Sequence, residues 1–438
     1  MNTQRMDFLK RMVVWMTVVC LSTGTLFAGH PEELAEKIFG YIRQSMGDSI
    51  SVYLQEDIRA QVPSEAWGQV YGQLEAQFGA YRSKGGWKVD TMQGNTVVTS
   101  EVQFEKGALI FLLSVNEEGQ INGIRFLPAS SPPVAAGVRE NEREIVVRWE
   151  EYELPGILKL PAGEGPFPVA VLVHGSGPSD RDGTLGPHKI FRDMADRLAE
   201  QGIATIRYDK RTFVYGADWE KEGTGTFDDE TVNDAVAAVW QATTQPELSS
   251  VYVIGLSQGA ILAPRIAQRA GDVAGIVMMA GSPRPLNQLI ADQFEYLLAQ
   301  EQPGVDREFV DRVKKSCDNL DLYGTAEYDA SLGFPLDAGS EAYWQFAMRY
   351  DALETLRSLS IPALLLQGER DYQVTMKDYA LWQQGLTDRT NVSMKSYPAL
   401  NHLFFEGEGV CLPSEYEHEK PMASYVIEDI ASFIHTGI

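Results

Sequence analysis

Residues 251–263, with the sequence VYVIGLSQGAILA, give the strongest indication of the fold of this chain. This stretch begins with an apolar run typical of a strand that is buried on both faces, and it ends with an apolar run typical of a helix. Between the two runs, Gly255, Ser257 and Gly259 form a G-x-S-x-G pattern, which places a serine on a tight turn from strand to helix. Larger residues in place of either glycine would collide with the helix and the neighbouring strand. Ser257 is therefore the candidate nucleophile.

The alternation of strand and helix continues on both sides of this stretch. Predicted strands alternate with predicted helices, which favours a mostly parallel sheet covered by helices on both faces, an α/β fold over residues 138–438. The strands are predicted at residues 145–149, 156–160, 169–174, 204–208, 251–256, 275–280, 363–367 and 392–397, and the helices at 190–201, 228–242 and 260–269.

One segment of this region, residues 283–350, has helical patterns and many aromatic residues but no buried strand. An insertion between two strands would lie above the carboxyl edge of the sheet, where open α/β folds bind ligands. We therefore predict a helical lid. The alternative is a helical excursion without a role in binding.

The beginning of the chain is typical of a secretory signal peptide. Residues 1–28 contain a basic start, an apolar stretch and a final small residue, Ala28. A membrane anchor is the alternative, but polar residues 22–25 interrupt the apolar run and leave it short for a spanning helix. The sequence thus predicts a bacterial protein exported to the periplasm or beyond, without stable membrane insertion after cleavage.

Residues 29–128 follow a different pattern from the α/β region. Apolar residues at helical spacing occupy 32–78, and three β-rich runs separated by turn residues follow, at 96–104, 108–115 and 121–127. This order predicts a small α+β domain. A Ser-, Pro- and Ala-containing linker at 129–137 is predicted to join it to the second domain.

Charge and cysteine content exclude several classes of function. The formal net charge is −24, and such a surface repels phosphate backbones, so nucleic-acid binding is disfavoured. Outside the predicted signal peptide only Cys317 and Cys411 occur. They are compatible with one disulfide but provide neither a disulfide framework nor a metal cluster. We expect a substrate that is neutral or weakly charged.

A serine hydroxyl needs a base to take its proton, and the base needs an acid to orient it. His402 follows the strand at 392–397 on a loop at the carboxyl edge and is the candidate base; a hydrogen-bonded surface histidine is the alternative. Asp371 follows the strand at 363–367 at the same edge and is the candidate acid, with Glu369 as its rival. The order Ser, Asp, His is the one typical of this arrangement.

Two backbone N–H groups are needed where negative charge develops on the substrate oxygen. Gln258, directly after the serine, is expected to provide one. The loop that begins with His174 and Gly175 is expected to provide the other through Ser176, although a plain glycine turn is the alternative. Charged residues at 179–182 and 208–211 end strands at the same edge, and we predict that they order these loops by ion pairing.

Together these motifs closely resemble the α/β-hydrolase superfamily and, more narrowly, two-domain bacterial carboxylesterases of the EstD type, which are grouped with serine-aminopeptidase-like and dienelactone-hydrolase-like enzymes. The resemblance covers almost all of residues 138–438, and residues 30–127 fit the small first domain of such enzymes less specifically. The stretches that carry it are HGSGPSDRD (174–182), RYDKR (207–211), GLSQG (255–259), QGERDYQV (367–374) and LNHLF (400–404). The resemblance implies hydrolysis of short acyl esters, a small-molecule substrate, by Ser257, Asp371 and His402, with no metal and no cofactor.

Three functional hypotheses follow. The first is a serine carboxylesterase that forms an acyl-enzyme on Ser257. The second keeps the same three residues but cleaves amides, as an aminopeptidase or acyl-peptide hydrolase. The third is an envelope-binding protein in which the hydrolase half is a degenerate scaffold; intact candidate residues argue against it. The sequence leaves the oligomeric state open.

Overall fold

The computed structural model describes residues 30–55, 58–59, 64–92, 95–105, 107–116, 118–128, 139–219, 224–302, 305–337 and 339–437. The predicted signal peptide (1–28) and the predicted linker (129–137) lie outside these residues, so both stay predictions. Contacts divide the chain into two compact units, with the boundary between residues 135 and 136.

The first unit contains helices followed by an antiparallel sheet. Its helices are α1 (Pro31–Arg43), α2 (Gly47–Ser51) and α3 (Ser64–Phe78), and its strands are β1 (Tyr81–Lys84), β2 (Lys88–Met92), β3 (Asn95–Phe104), β4 (Gly107–Val115) and β5 (Ile121–Pro128). The strand order is β1-β3-β4-β5, and β2 also pairs with β3. Apolar residues at helical spacing on α1, such as Leu34 and Ile38, share one core with inward-facing Val98 and Phe111 of the sheet.

The second unit is built around one eight-stranded sheet. Its strands are β6 (Glu142–Trp149), β7 (Tyr152–Lys159), β8 (Phe167–Val173), β11 (Ala204–Tyr208), β12 (Leu248–Leu256), β13 (Gly275–Met279), β14 (Ala363–Gly368) and β15 (Val392–Tyr397), and a short hairpin is formed by β9 (Thr184–Leu185) and β10 (His188–Lys189). The order is β15-β14-β13-β12-β8-β11-β7-β6. The six strands from β15 to β11 are parallel, whereas β7 and β6 run antiparallel at the other end.

Helices cover both faces of this sheet. The α-helices described in the second unit are α4 (Ile190–Glu200), α5 (Arg211–Val214), α6 (Asn233–Thr243), α7 (Gln258–Ala270), α8 (Leu286–Ala299), α9 (Arg307–Asp321), α10 (Glu341–Arg349), α11 (Ala352–Ser358), α12 (Met376–Gly385) and α13 (Ser424–Thr436). Alternate residues of β8 belong to different cores: Val169 and Val171 pack on one side with α6 and α7, and Ala170 and Leu172 pack on the other with α4 and α13. A strand buried on both faces has no polar positions, which explains its continuous apolar sequence.

Residues 283–350 form helices α8, α9 and α10 with short 3₁₀ turns between β13 and β14, and the described part of this segment contains no strand. The helical insertion is thus present as predicted. Cys317 of α9 and Cys411 are both buried free thiols. Burial raises the pKa of Cys317 to about 12 and that of Cys411 to about 11. No helix in the described part of the chain has the length and hydrophobicity to cross a bilayer.

Candidate active site

Ser257 occupies a strained turn between β12 and α7. Its backbone has φ 57° and ψ −116°, a region that side-chain-bearing residues rarely adopt and that is typical of functional positions. A Cβ on Gly255 would lie 2.1 Å from the carbonyl oxygen of Gly259, and a Cβ on Gly259 would lie 2.3 Å from that of Val173. Both glycines are therefore required by close backbone approach, as the motif predicts.

Asp371 and His402 are in direct contact at the carboxyl edge. Asp371 Oδ2 accepts a hydrogen bond from His402 Nδ1 at 2.6 Å, and both side chains are almost fully buried. The other carboxylate oxygen, Oδ1, accepts from the backbone N–H groups of Gln373 and Val374 at 2.8 and 3.0 Å. The acid is thus fixed by its own loop, and it fixes the ring of His402 in turn.

The rival acid, Glu369, lies in a different environment. Its Oε1 accepts a hydrogen bond from Ser396 Oγ at 2.8 Å on β15, whereas His402 is bonded to Asp371. The geometry therefore favours Asp371 as the acid partner of His402.

Ser257, Asp371 and His402 all follow the carboxyl ends of strands, β12, β14 and β15 respectively. Within the described part of the chain, the Ser257 hydroxyl makes no hydrogen bond to His402. Nucleophile–base bonds are often long without substrate and tighten when it binds. The structure therefore joins acid to base and places the serine at the same edge.

The loop after β8 lies against the candidate nucleophile. A Cβ on Gly175 would lie 3.3 Å from Ser257 Cβ and 3.8 Å from its Oγ. Among the backbone hydrogen bonds of loops and turns in the described residues, none has the N–H of Ser176 or of Gln258 as its donor. Gln258 is the first residue of α7, and the N–H groups at the start of a helix have no partner within the helix. Both predicted donors are thus adjacent to Ser257 and available.

His174 has a structural environment. Its Nε2 is 3.0 Å from the carbonyl oxygen of Asp180, and its ring contacts those of Phe191 and Tyr208 at 4.8 and 5.6 Å between centroids. Burial and, to a lesser extent, the charge of Lys210 lower the pKa of His174 to about 3, against the opposing effect of the Asp180 carbonyl. His174 is therefore neutral at physiological pH and donates to that carbonyl, which shapes the loop that carries Ser176.

The charged motifs at 179–182 and 208–211 are joined by ion pairs, as expected. Arg181 binds both carboxylate oxygens of Asp209, with Nε–Oδ1 2.9 Å and Nη2–Oδ2 2.7 Å. Lys210, however, points inward: its ammonium binds the Gly175 carbonyl oxygen, Glu230 and Gln258. Sequence reasoning missed this role because Lys is rarely buried; its position beside the predicted site was the only signal.

A second network that the sequence did not reveal connects the loops of the acid and the base. Glu415 Oε2 accepts from Arg370 Nη1 at 3.1 Å and from Asn401 Nδ2 at 3.3 Å. Asn401 Oδ1 accepts from the N–H groups of Leu403 and Phe405, each at 3.1 Å. Arg370 and Asn401, the residues next to Asp371 and His402, are therefore bound to one carboxylate, which fixes the positions of the two loops relative to each other.

The helical insertion contacts the site through Tyr343 of α10, whose hydroxyl accepts a hydrogen bond from Gln258 Nε2 at 3.2 Å. The insertion is anchored where it leaves β13: Asp378 accepts from Ser282 Oγ at 2.6 Å and from Arg284 Nε at 2.7 Å. A cavity of about 470 Å³ beside the acid is lined by residues that include Tyr296 of the insertion, Asp371 and Cys411.

The described residues contain no group of three or more His, Cys, Asp or Glu side chains that could hold a metal ion. The chemistry available at this edge is that of a serine, a histidine, a carboxylate and two free backbone donors. These are the components of acyl transfer through a covalent intermediate.

The sequence of this chain matches known protein families in both units. A sequence model of the Alpha/beta hydrolase family matches residues 170–409, and a model of a protein of unknown function, DUF3887, matches residues 35–124. Esterase EstD from Thermotoga maritima is 34% identical over 382 residues, which cover 86% of this chain and 89% of that protein.

Two solved structures are similar at lower identity. Est1E from Butyrivibrio proteoclasticus is 14% identical with a TM-score of 0.45, covering 67% of this chain and 98% of its own. The esterase Pf2001 from Pyrococcus furiosus is 17% identical with a TM-score of 0.40, covering 60% and 83%. On the two sequence matches to the family model and to EstD, this chain belongs to the alpha/beta hydrolase family.

Proposed function

We propose that this enzyme is a serine carboxylesterase that hydrolyses small, short-acyl esters through Ser257, His402 and Asp371. The observation that carries the proposal is the buried 2.6 Å bond between Asp371 and His402, at the sheet edge where Ser257 occupies its strained turn. The 34% identity to a protein named an esterase supports ester rather than amide bonds. Short acyl groups are implied by the resemblance to EstD-type enzymes.

The first half of the reaction forms the acyl-enzyme. His402 Nε2 takes the proton of Ser257 as the serine oxygen attacks the ester carbonyl, and Asp371 stabilises the imidazolium through Nδ1. The carbonyl oxygen becomes an oxyanion, which the N–H groups of Ser176 and Gln258 bind. When the intermediate collapses, His402 returns its proton to the leaving alcohol and the acyl group stays on Ser257.

The second half releases the acid. A water molecule gives a proton to His402 and attacks the acyl-enzyme, and the same two donors hold the second oxyanion. Collapse of this intermediate breaks the bond to Ser257, which regains the proton from His402, and a carboxylic acid leaves.

The insertion at 283–350 is proposed to act as a lid that selects the acyl chain. The support is its placement after β13 and the contact of Tyr343 with Gln258, the residue next to the nucleophile. Export, predicted from residues 1–28, stays a prediction.

The test is hydrolysis of p-nitrophenyl esters graded from acetate to long acyl chains by wild type and Ser257→Ala. We expect wild-type activity to fall as the chain lengthens, and Ser257→Ala to lose roughly 10⁴-fold or more in kcat while its circular dichroism is unchanged. Ser396→Ala, which removes a hydroxyl at the same sheet edge bonded to Glu369, is the control and should keep wild-type activity.

Other results would redirect the assignment. Higher rates on unactivated aminoacyl amides than on esters would identify a peptidase. Folded wild type that neither hydrolyses esters nor reacts with a fluorophosphonate at Ser257 would identify a non-enzymatic binding protein.

A further inference from the structure

The Lys210 ammonium is buried against Gln258 and against the carbonyl oxygen of Gly175, which precedes Ser176. Its side chain is 2% exposed. It donates to the Gly175 carbonyl oxygen at 2.9 Å, to Glu230 Oε1 at 2.7 Å and to Gln258 Oε1 at 3.2 Å. An ammonium has three N–H donors, and here each has one acceptor on a different segment of the chain.

We propose that Lys210 is a positioning residue that orients and polarises both N–H donors of the oxyanion hole, with Glu230 as its counter-ion. The inference rests on the proposed function, because it concerns donors whose role is to hold a tetrahedral oxyanion.

The first donor is controlled through a peptide plane. The Gly175 carbonyl and the Ser176 N–H belong to one peptide unit, which is trans, since the cis bond found in the described chain is Gly165-Pro166. In a planar trans peptide the C=O and N–H vectors point in opposite directions. Because Lys210 binds the Gly175 oxygen, the Ser176 N–H is directed away from the ammonium.

The same bond strengthens this donor. A positive charge at a carbonyl oxygen draws electron density through the peptide, and hydrogen bonds in a chain polarise one another in a low-dielectric interior. The Ser176 N–H is thus a better donor to an oxyanion than an ordinary amide. Gly175 itself lies against Ser257, so the effect acts beside the reacting atoms.

The second donor is controlled through a side chain. The amide oxygen of Gln258 binds Lys210, and its amide nitrogen donates to Glu230 Oε2 and to Tyr343 OH, both at 3.2 Å. With both ends of the amide held, the first residue of α7 has one orientation. The Gln258 backbone N–H therefore keeps its direction as charge develops on the substrate.

Folding alone gives little reason to keep this pair. Burying two ions costs several kcal/mol in desolvation, and replacing such a pair with apolar residues is often neutral or stabilising, by about 1–4 kcal/mol. A requirement for Lys210 and Glu230 in catalysis but not in stability would therefore separate positioning from structure.

The experiment compares two double variants of the full-length enzyme. Lys210→Met/Glu230→Leu removes the positioning pair. The matched control, Arg211→Met/Asp234→Leu, removes a neighbouring buried pair, Nη2–Oδ1 2.6 Å, with exposed fractions of 3% and 1%. In the control pair, Arg211 lies over the ring of Tyr152, and among the described residues its guanidinium bonds to Asp234 and to neither oxyanion donor.

We expect both double variants to keep the wild-type circular dichroism and melting temperature within a few degrees. The Lys210 double variant should lose roughly 10- to 100-fold in kcat, less than the loss of a whole donor, with KM within about twofold. Its affinity for a trifluoromethyl ketone, which forms a tetrahedral oxyanion on Ser257, should fall by the same factor. The control should retain wild-type values.

Lys210→Gln, which keeps amide donors without the charge, provides a second measurement in case the apolar pair does not fold; it should also lower kcat more than KM. A folded Lys210 double variant with wild-type kcat would overturn the proposal, as would failure of both Lys210 variants to fold. Activity that survives in Ser257→Ala would instead overturn the proposed function, whatever the Lys210 variants do.

Discussion

The acid–base half and the oxyanion half of this site are held in place by different chemistry. Asp371 is fixed by backbone N–H groups of its own loop, a local arrangement that a short motif can encode. The Gly175 and Gln258 segments are instead held by a buried ion pair whose members are 20 residues apart. Local hydrogen bonds thus fix the acid, and Glu415 links its loop to the loop of the base, whereas the buried Lys210–Glu230 pair fixes the oxyanion donors. The two halves therefore respond to different substitutions.

The largest loss of kcat in the acid–base half is expected from Asp371→Asn. An asparagine can no longer hold the tautomer of His402 that accepts the serine proton, so kcat should fall by roughly 10³- to 10⁴-fold with little change in folding. Steady-state hydrolysis of p-nitrophenyl acetate measures it.

Glu369→Gln is the matched control for this substitution, because Glu369 lies two residues earlier in the same loop but bonds to Ser396. We expect its kcat to stay within about twofold of wild type. Equal losses in the two variants would mean that the loop, rather than the acid, is what the reaction requires.

An intermediate effect is expected from Glu415→Ala, which removes the carboxylate shared by Arg370 and Asn401. Without this carboxylate the loop of His402 should shift relative to the loop of Asp371. Because a small misplacement of a catalytic group slows the reaction strongly, kcat should fall by roughly tenfold. Glu419→Ala, an exposed glutamate four residues later, should behave as wild type in the same assay. A change in KM alone would contradict a role in holding the base.

The smallest effect concerns stability on the oxyanion side. His174 has a pKa of about 3 in the folded chain against about 6.5 when unfolded. Below pH 6.5 the imidazole of His174 binds a proton in the unfolded state but not in the folded state. The free energy of unfolding should therefore decrease as pH falls from 6.5 towards 3, by up to about 1.4 kcal/mol per pH unit from this residue.

Urea unfolding of wild type and His174→Gln between pH 8 and pH 4 measures this contribution. The variant should be less stable than wild type at pH 8, and the difference should shrink as pH decreases. Parallel curves across the range would show that His174 does not stay neutral in the fold.

The sequence predicted those parts of the molecule that depend on local pattern. Strands such as β8 and β12 are buried on both faces, so their apolar runs are easily recognised, and Ser257 and Asp371 each follow such a strand. His402 follows β15, a partly buried strand of mixed sequence at the end of the sheet. Strands β1 and β2 were missed because both are short and polar, YRSK and KVDTM, and receive their order from pairing with β3.

The rest depends on contacts that no local pattern encodes. Lys210 belongs to a motif for which we predict ion pairing between loops, and Arg181 and Asp209 do form such a pair. The burial of Lys210 follows from Glu230 on the segment before α6 and from Gln258 on α7, two elements that meet only in the folded sheet. Likewise, Glu415 is an ordinary glutamate in sequence and acquires its role through Arg370 and Asn401.

The two cysteines have a practical consequence. Burial raises the pKa of each thiol and keeps it protonated, whereas it is the thiolate that reacts with oxidants and attacks disulfides. Among the described residues of the second unit, both cysteines are therefore free thiols of low reactivity. We expect a thiol reductant to leave the activity unchanged.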